Sequence, residues 1–293
     1  MRKLWIFLGL CLTGCGQVSP PARRSLLATT GHLQEVVTAL AGSRSEVEVL
    51  VPQGADPHTF EPGPSDLKKL SRAKVVFCNG AGLEGWLERA LQNCGGQIPV
   101  IDVSQGMPLR RLGPHGEADP HIWMDPNLMI FVYARVSQQL VAMEPAAAAQ
   151  ISQRTQIRCA RLRQLDAWAQ VRLATIPPGR RCLVTSHDAL GYFAARYHFR
   201  VVGSVVPSFS TEAAEASVME IRELMMKMKS DGVPAIFSES RENPQLYRQI
   251  ARESGVKLVP DLLLDFLGPA DSPTATYEGT FRWNVERIAG ALQ

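Results

Sequence analysis

Apolar and polar positions along the chain follow two rhythms that take turns. Short apolar runs that read as strands, "SLLATT", "EVEVLV", "KVVFC" and "PVIDV", are separated by stretches with apolar residues every three or four positions: "HLQEVVTALAG", "SDLKKLSRA" and "LEGWLERALQ". From Arg181 the alternation resumes with "RCLVTS" and "ALGYFAARY", "RVVGSVV" and "EAAEASVMEIRELMMKMK", "PAIFSES" and "PQLYRQIARES", then "VKLVPDL" and a last helix, "YEGTFRWNVERIAGAL". Strands that alternate with helices predict parallel sheets covered by those helices, because a parallel crossover needs a long return connection. The expected fold class is α/β, with two Rossmann-like lobes of mainly parallel sheet.

Between the two series, Pro145 to Ile176 contains no Gly or Pro after its first residue and is rich in Ala, Arg, Gln and Leu. These are strong helix formers, and roughly thirty residues at about 1.5 Å each give one linker helix near 45 Å long. The organisation that follows is a signal segment over 1–14, a tether over 15–24, a first lobe over 25–144, the helix over 145–176 and a second lobe over 177–293. A single stiff helix between lobes predicts modest lobe movement on ligand binding.

The start of the chain departs from this pattern. Arg2 and Lys3 precede the apolar run Leu4 to Leu12, and small Thr13 and Gly14 lead to Cys15. An apolar run of about ten residues is short against the roughly 20 that span a bilayer, so it reads as a cleaved secretory signal. Loss of 1–14 removes two positive charges, Arg2 and Lys3, so the formal net charge falls from +3 to +1. That leaves no strong electrostatic case for a nucleic-acid partner. With 45% hydrophobic and 20% charged residues, neither a disordered nor a fibrous chain is described. Cys78, Cys94, Cys159 and Cys182 are an even number in an oxidising compartment without CxxC spacing, which leaves core positions or unspecified bridges.

The candidate chemistry lies in a repeated device. Ala-Asp-Pro-His followed by an aromatic residue one position on occurs at Ala55 to Phe60 and again at Ala118 to Trp123, in a chain with 6 histidines. His58 follows the strand "EVEVLV", His121 follows "PVIDV", and His187 directly follows "CLVTS". In open α/β sheets ligands gather at the carboxyl ends of strands, where all three histidines fall. Pro57 and Pro120 fix their own φ and push Asp56 and Asp119 toward extended backbone, so each histidine rides a stiff turn. Three neutral imidazoles suit a borderline transition metal such as Zn2+. A carboxylate would complete the shell, with Glu239, Asp261 and Asp265 as candidates. His32 at a helix start, His198 after a helix and His115 in a loop read as capping or solvent-exposed residues.

Together these segments resemble the zinc and manganese solute-binding lipoproteins of bacterial ABC transporters. "GADPHTFEP", "DPHIWMDP", "TSHDALGYFAARY", "PAIFSES" and "YEGTFRWNVERIA" all stand in that family's order across the mature chain. Leu12-Thr13-Gly14-Cys15 resembles a lipobox, which implies lipid attachment at Cys15 and a membrane-anchored, extracytoplasmic protein. The resemblance implies metal ligands at His58, His121, His187 and Asp265, the last in "LDFLG". It implies no catalysis, Zn2+ or Mn2+ as transported substrate, and an ABC permease with its ATPase as partner. His187 is the version of the third ligand usual among zinc binders. The His-rich collecting loop of many zinc-specific members is reduced here to "RRLGPHGEA" with His115. The rival reading from another class is a zinc hydrolase using the same histidines and an open coordination position, although no HExxH occurs. Asp265 lies in "LLLDFLGPADSPTAT", where Gly268, Pro269 and Pro273 lead to the expectation of a segment that orders and disorders readily.

Overall fold

The computed structural model describes residues 24–95, 97–112, 116–206, 216–239 and 243–293. The signal segment, Cys15, the tether up to residue 23 and His115 lie outside the described residues. In the first half, β1 (Arg24–Ala28), α1 (Gly31–Ala41), β2 (Ser45–Val49), α2 (Pro64–Arg72), β3 (Val75–Cys78), α3 (Leu87–Asn93) and β4 (Val100–Asp102) alternate as expected. The strands form one sheet of order β2-β1-β3-β4 with every pairing parallel. A small antiparallel pair, β5 (Arg111–Leu112) and β6 (Glu117–Ala118), precedes His121.

Two helices then run together, α4 (Pro126–Met143) and α5 (Ala148–Ala174). The second half follows with β7 (Cys182–Thr185), α6 (Gly191–Tyr197), β8 (Arg200–Ser204), α7 (Val218–Ser230), β9 (Ala235–Glu239), α8 (Pro244–Ser254), β10 (Lys257–Leu262) and α9 (Tyr277–Leu292). β7 pairs with β8 and β9 with β10, both parallel, and β7 runs alongside β9.

The reading of 145–176 as helix holds with trimmed ends. Pro145 opens a 3-10 turn, the α-helix covers 27 residues, about 40 Å at 1.5 Å per residue, and Pro177 and Pro178 follow its end. α4 is an element that strand-and-helix alternation left unassigned. Its start signal is present in the sequence: Asp125 caps it by accepting from Asn127 N at 2.8 Å, and Pro126 occupies the first turn, where a missing N–H costs nothing.

Burial follows the strand period of two. Leu26, Phe77, Leu183 and Phe237 point into one large apolar cluster, while their neighbours Leu27, Val76, Val184 and Ile236 point the other way into two smaller ones. Sheets buried on both faces explain why these strands read as apolar runs without polar alternation. The large cluster also takes Met129 and Val136 from α4, Leu165 and Ala169 from α5, and Phe281 and Ile288 from α9. It therefore draws on both halves of the chain. All four described cysteines are free, three of them buried, so they serve as small core or core-edge residues and not as bridges.

Candidate metal centre

The two Asp-Pro-His turns are built alike. Asp56 Oδ1 accepts from His58 N at 2.8 Å, and Asp119 Oδ1 accepts from His121 N at 3.0 Å. Each aspartate thus closes its own turn across the proline, the local bond that short acidic side chains favour. The proline carbonyls are held as well: Trp86 Nε1 donates to Pro57 O at 2.9 Å, and Asn79 Nδ2 donates to Pro120 O at 2.9 Å. His58 and His121 end up buried, the second completely.

Asp119 does more than close a turn. Its Oδ1 lies 2.8 Å from His121 Nδ1 and its Oδ2 lies 3.5 Å from Arg110 Nε. A carboxylate can only accept, so the Nδ1 proton points at Asp119 and Nε2 carries the lone pair. His187 receives the same treatment from Glu239, whose Oε1 lies 2.8 Å from His187 Nδ1 and also accepts from Ser186 Oγ at 2.6 Å.

The inward nitrogens converge. His187 Nε2 and His121 Nε2 are 3.3 Å apart, His187 Nε2 is 3.3 Å from Asp265 Oδ2, and His121 Nε2 is 3.7 Å from Asp265 Oδ1. The His58 ring is tilted against His121 at 5.2 Å between ring centres and stands edge-on to His187 at 5.9 Å, with a buried Nε2 that has no hydrogen-bond partner. One donor atom from each of the four residues fits within a span of 4.8 Å. Donors around a tetrahedral zinc with bonds of about 2.0–2.1 Å stand roughly 3.3 Å apart, close to the 3.3–3.7 Å spacing among His121, His187 and Asp265.

The electrostatics describe a site that trades protons for a cation. Burial presses the His58 imidazole down to about 4, against the pull of Asp265. Burial also works to lower His187, but Asp265 and then Glu239 outweigh it and raise His187 well above its ordinary value. Burial would lift the Asp265 carboxyl, yet His187 beside it holds it well below the usual carboxylate range.

The other two carboxylate candidates stand outside the cluster. Glu239 backs His187 from behind, and Asp261, in the left-handed region at φ 62, is turned outward to Arg287 at 3.5 Å. The start of the segment that carries Asp265 is tied down. Asn284 of α9 accepts from Leu263 N at 3.0 Å and donates to Leu263 O at 2.7 Å, while Trp123 Nε1 donates to Leu264 O. Residues 262–265 are all buried. The reading of His32 needs correction: Thr30 caps α1, and His32 is buried, stacked on Trp123 at 5.3 Å between ring centres. Burial lowers its imidazole to about 4. His198 does follow α6 and meets solvent, as expected, in the left-handed position that ends the helix. Sequence reading leaves open whether Asp119 orients its imidazole, takes Glu239 only as a candidate ligand, and misses Asn79 and Trp86 as anchors. The only advance signal was that Asp119 lies two residues before its histidine.

A family model described as "ZnuA: Zinc-uptake complex component A periplasmic" matches residues 26–291. The manganese-binding lipoprotein MntA of Bacillus subtilis (strain 168) is 31% identical, over 98% of this chain and 97% of its own. The zinc-binding protein TroA of Treponema pallidum (strain Nichols) is also 31% identical, over 91% of this chain and 88% of its own. The solved structure of the periplasmic zinc binding protein TroA from Treponema pallidum has a TM-score of 0.85 at 30% identity, covering 92% of this chain and 99% of that one.

Proposed function

The chain belongs to the ZnuA family, and from that premise we propose that it captures Zn2+, with Mn2+ as the other candidate, on His58, His121, His187 and Asp265. It is an extracytoplasmic substrate-binding component of a metal ABC transporter, and its cargo passes to a permease driven by an ATPase. The observation that carries the ligand set is the convergence of four buried donors from four separate loops within 4.8 Å. Three imidazoles favour zinc over the oxygen-rich shells of harder cations.

The same set argues for binding without catalysis. A hydrolytic zinc keeps one position open for water, whereas Asp265 faces both His121 and His187 and takes that fourth position. The lobes are read as 25–144 and 177–293 around the helix at 145–176. Attachment to the membrane is assigned to a lipid on Cys15. No described helix is long and apolar enough to cross a membrane. Metal analysis of stripped protein after exposure to equal Zn2+ and Mn2+ tests the cargo: zinc at one per chain is expected, and retention of neither ion would overturn the reading. Cys15→Ser should move the protein from the membrane fraction to the soluble one, and continued membrane fractionation would sink the anchor.

A further inference from the structure

Both histidine turns are held by the same short loop, residues 79–86. Asn79 at its start donates to Pro120 O, and Trp86 at its end donates to Pro57 O. The loop is tightly wound: Gly80, Ala81 and Gly82 all take left-handed backbone, at φ 76, 53 and 84. For Ala81 this conformation costs roughly 1–2 kcal/mol. Gly80 admits no other residue, since a Cβ there would stand 1.9 Å from Asp102 Oδ1. Something must compensate for this winding, and Glu84 sits inside it. Its Oε1 accepts from Asn79 N at 2.8 Å and Thr29 Oγ1 at 2.6 Å, and its Oε2 accepts from Gly80 N at 3.0 Å. The Thr29 bond ties the loop to the end of β1 in the centre of the sheet.

We propose that Glu84 is a positioning residue for metal capture: its carboxylate gathers the loop 79–86, whose Asn79 and Trp86 set the spacing between the turns carrying His121 and His58. The proposal rests on the reading of those histidines as ligands. Glu84 touches neither ring and acts through backbone carbonyls. Each proline carbonyl is one residue before its histidine, so a shift of the loop moves both imidazoles together. That makes the loop a determinant of ligand spacing, and hence of preference between a tetrahedral and a larger coordination shell.

The test uses Glu84→Gln, Trp86→Phe and Asn79→Ala in the full mature chain, with His187→Ala as control. Zn2+ affinity is read by competition with a chromophoric chelator, and geometry by the visible spectrum of bound Co2+. In Glu84→Gln the amide nitrogen faces one of the two backbone N–H donors, so one side of the grip is lost. Zn2+ binding should weaken about 10–100-fold, as for other groups that orient ligands from behind, and the Co2+ bands should shift. Trp86→Phe should cost less in the Glu84→Gln background than in the parent, because coupled residues are not additive. Parental affinity and spectrum in Glu84→Gln, with His187→Ala defective, overturn the positioning role alone. Parental binding by His187→Ala overturns the metal site and this proposal with it. If Glu84→Gln does not fold, the Trp86→Phe and Asn79→Ala pair decides: non-additive losses support a loop acting as one unit, and simple addition refutes it.

Discussion

Glu239 Oε1 lies 2.8 Å from His187 Nδ1, on the far side of the ring from Asp265. The imidazole is held between a carboxylate behind its Nδ1 and one facing its Nε2. Glu239→Ala should therefore weaken Zn2+ binding about 10–100-fold by freeing the ring. Glu239→Gln, which still accepts the Nδ1 proton, should lose less. Equal affinity of Glu239→Ala and parent in a chelator competition would remove Glu239 from the site.

The four donors differ in origin but should be similar in weight. If about 10–16 kcal/mol of zinc binding is shared among four ligands, each deletion costs roughly 3 kcal/mol, or about 100-fold. His58→Ala, His121→Ala and His187→Ala should each show that loss by titration calorimetry while keeping the parental circular dichroism. Near-parental affinity in all three would refute the set.

Proton release follows from the signs of the shifts. His187 is raised well above its ordinary value, so the metal-free site holds a proton there at neutral pH, whereas His58, lowered to about 4, is already neutral. Metal binding at pH 7.5 should expel about one proton. Affinity should begin to fall while pH is still above 6.5, as His187 protonates, with His58 adding its loss only near 4. Calorimetry in two buffers of different ionisation heat measures this, and a buffer-independent enthalpy would contradict it.

His32 gives a stability test at a residue that is not itself a proposed ligand. Its folded pKa of about 4 lies below the ordinary value of 6.5, so the unfolded chain takes the proton first. The contribution is fully present above 6.5 and is lost as pH falls from 6.5 toward 4, by up to roughly 3 kcal/mol. His32→Phe should flatten that part of the pH dependence of urea unfolding in metal-free protein. An unchanged slope would mean that His32 protonates without unfolding.

Asn284 should matter for metal although it is not a ligand. It bonds both backbone groups of Leu263, two residues before Asp265. Asn284→Ala should lose hydrogen-exchange protection at Leu263 and weaken Zn2+ binding about 10-fold. Lost protection with intact affinity would show that Asp265 is held by other means.

The parts of this site that were legible in sequence are those that local chemistry writes. A proline beside an aspartate stiffens a turn wherever it occurs, and a histidine after a strand falls at the sheet's carboxyl edge, so His58, His121 and His187 stood out. The resemblance supplied Asp265. What could not be read depended on partners far away in the chain: Glu239 reaches His187 over 52 positions, and Asn284 secures Leu263 over 21. The Gly and Pro residues after Asp265 suggest a loose segment, and the anchors at its start do not show in local composition. α4 escaped for a different reason, since apolar residues occur on more than one of its faces, as exposed Phe131 shows, and blur the helical period.

The large apolar cluster bears on how the molecule comes apart. α4, α5 and α9 contribute to it together with strands from both halves, so a cut between the halves would leave each with an unsealed oily face. Neither half then seals its own apolar surface, and thermal unfolding of the mature chain should proceed as one cooperative transition. The same continuity sets a mechanical limit. A wide hinge would tear that cluster and expose it to water, so shifting loops at the rim of the site costs less than swinging one half away from the other.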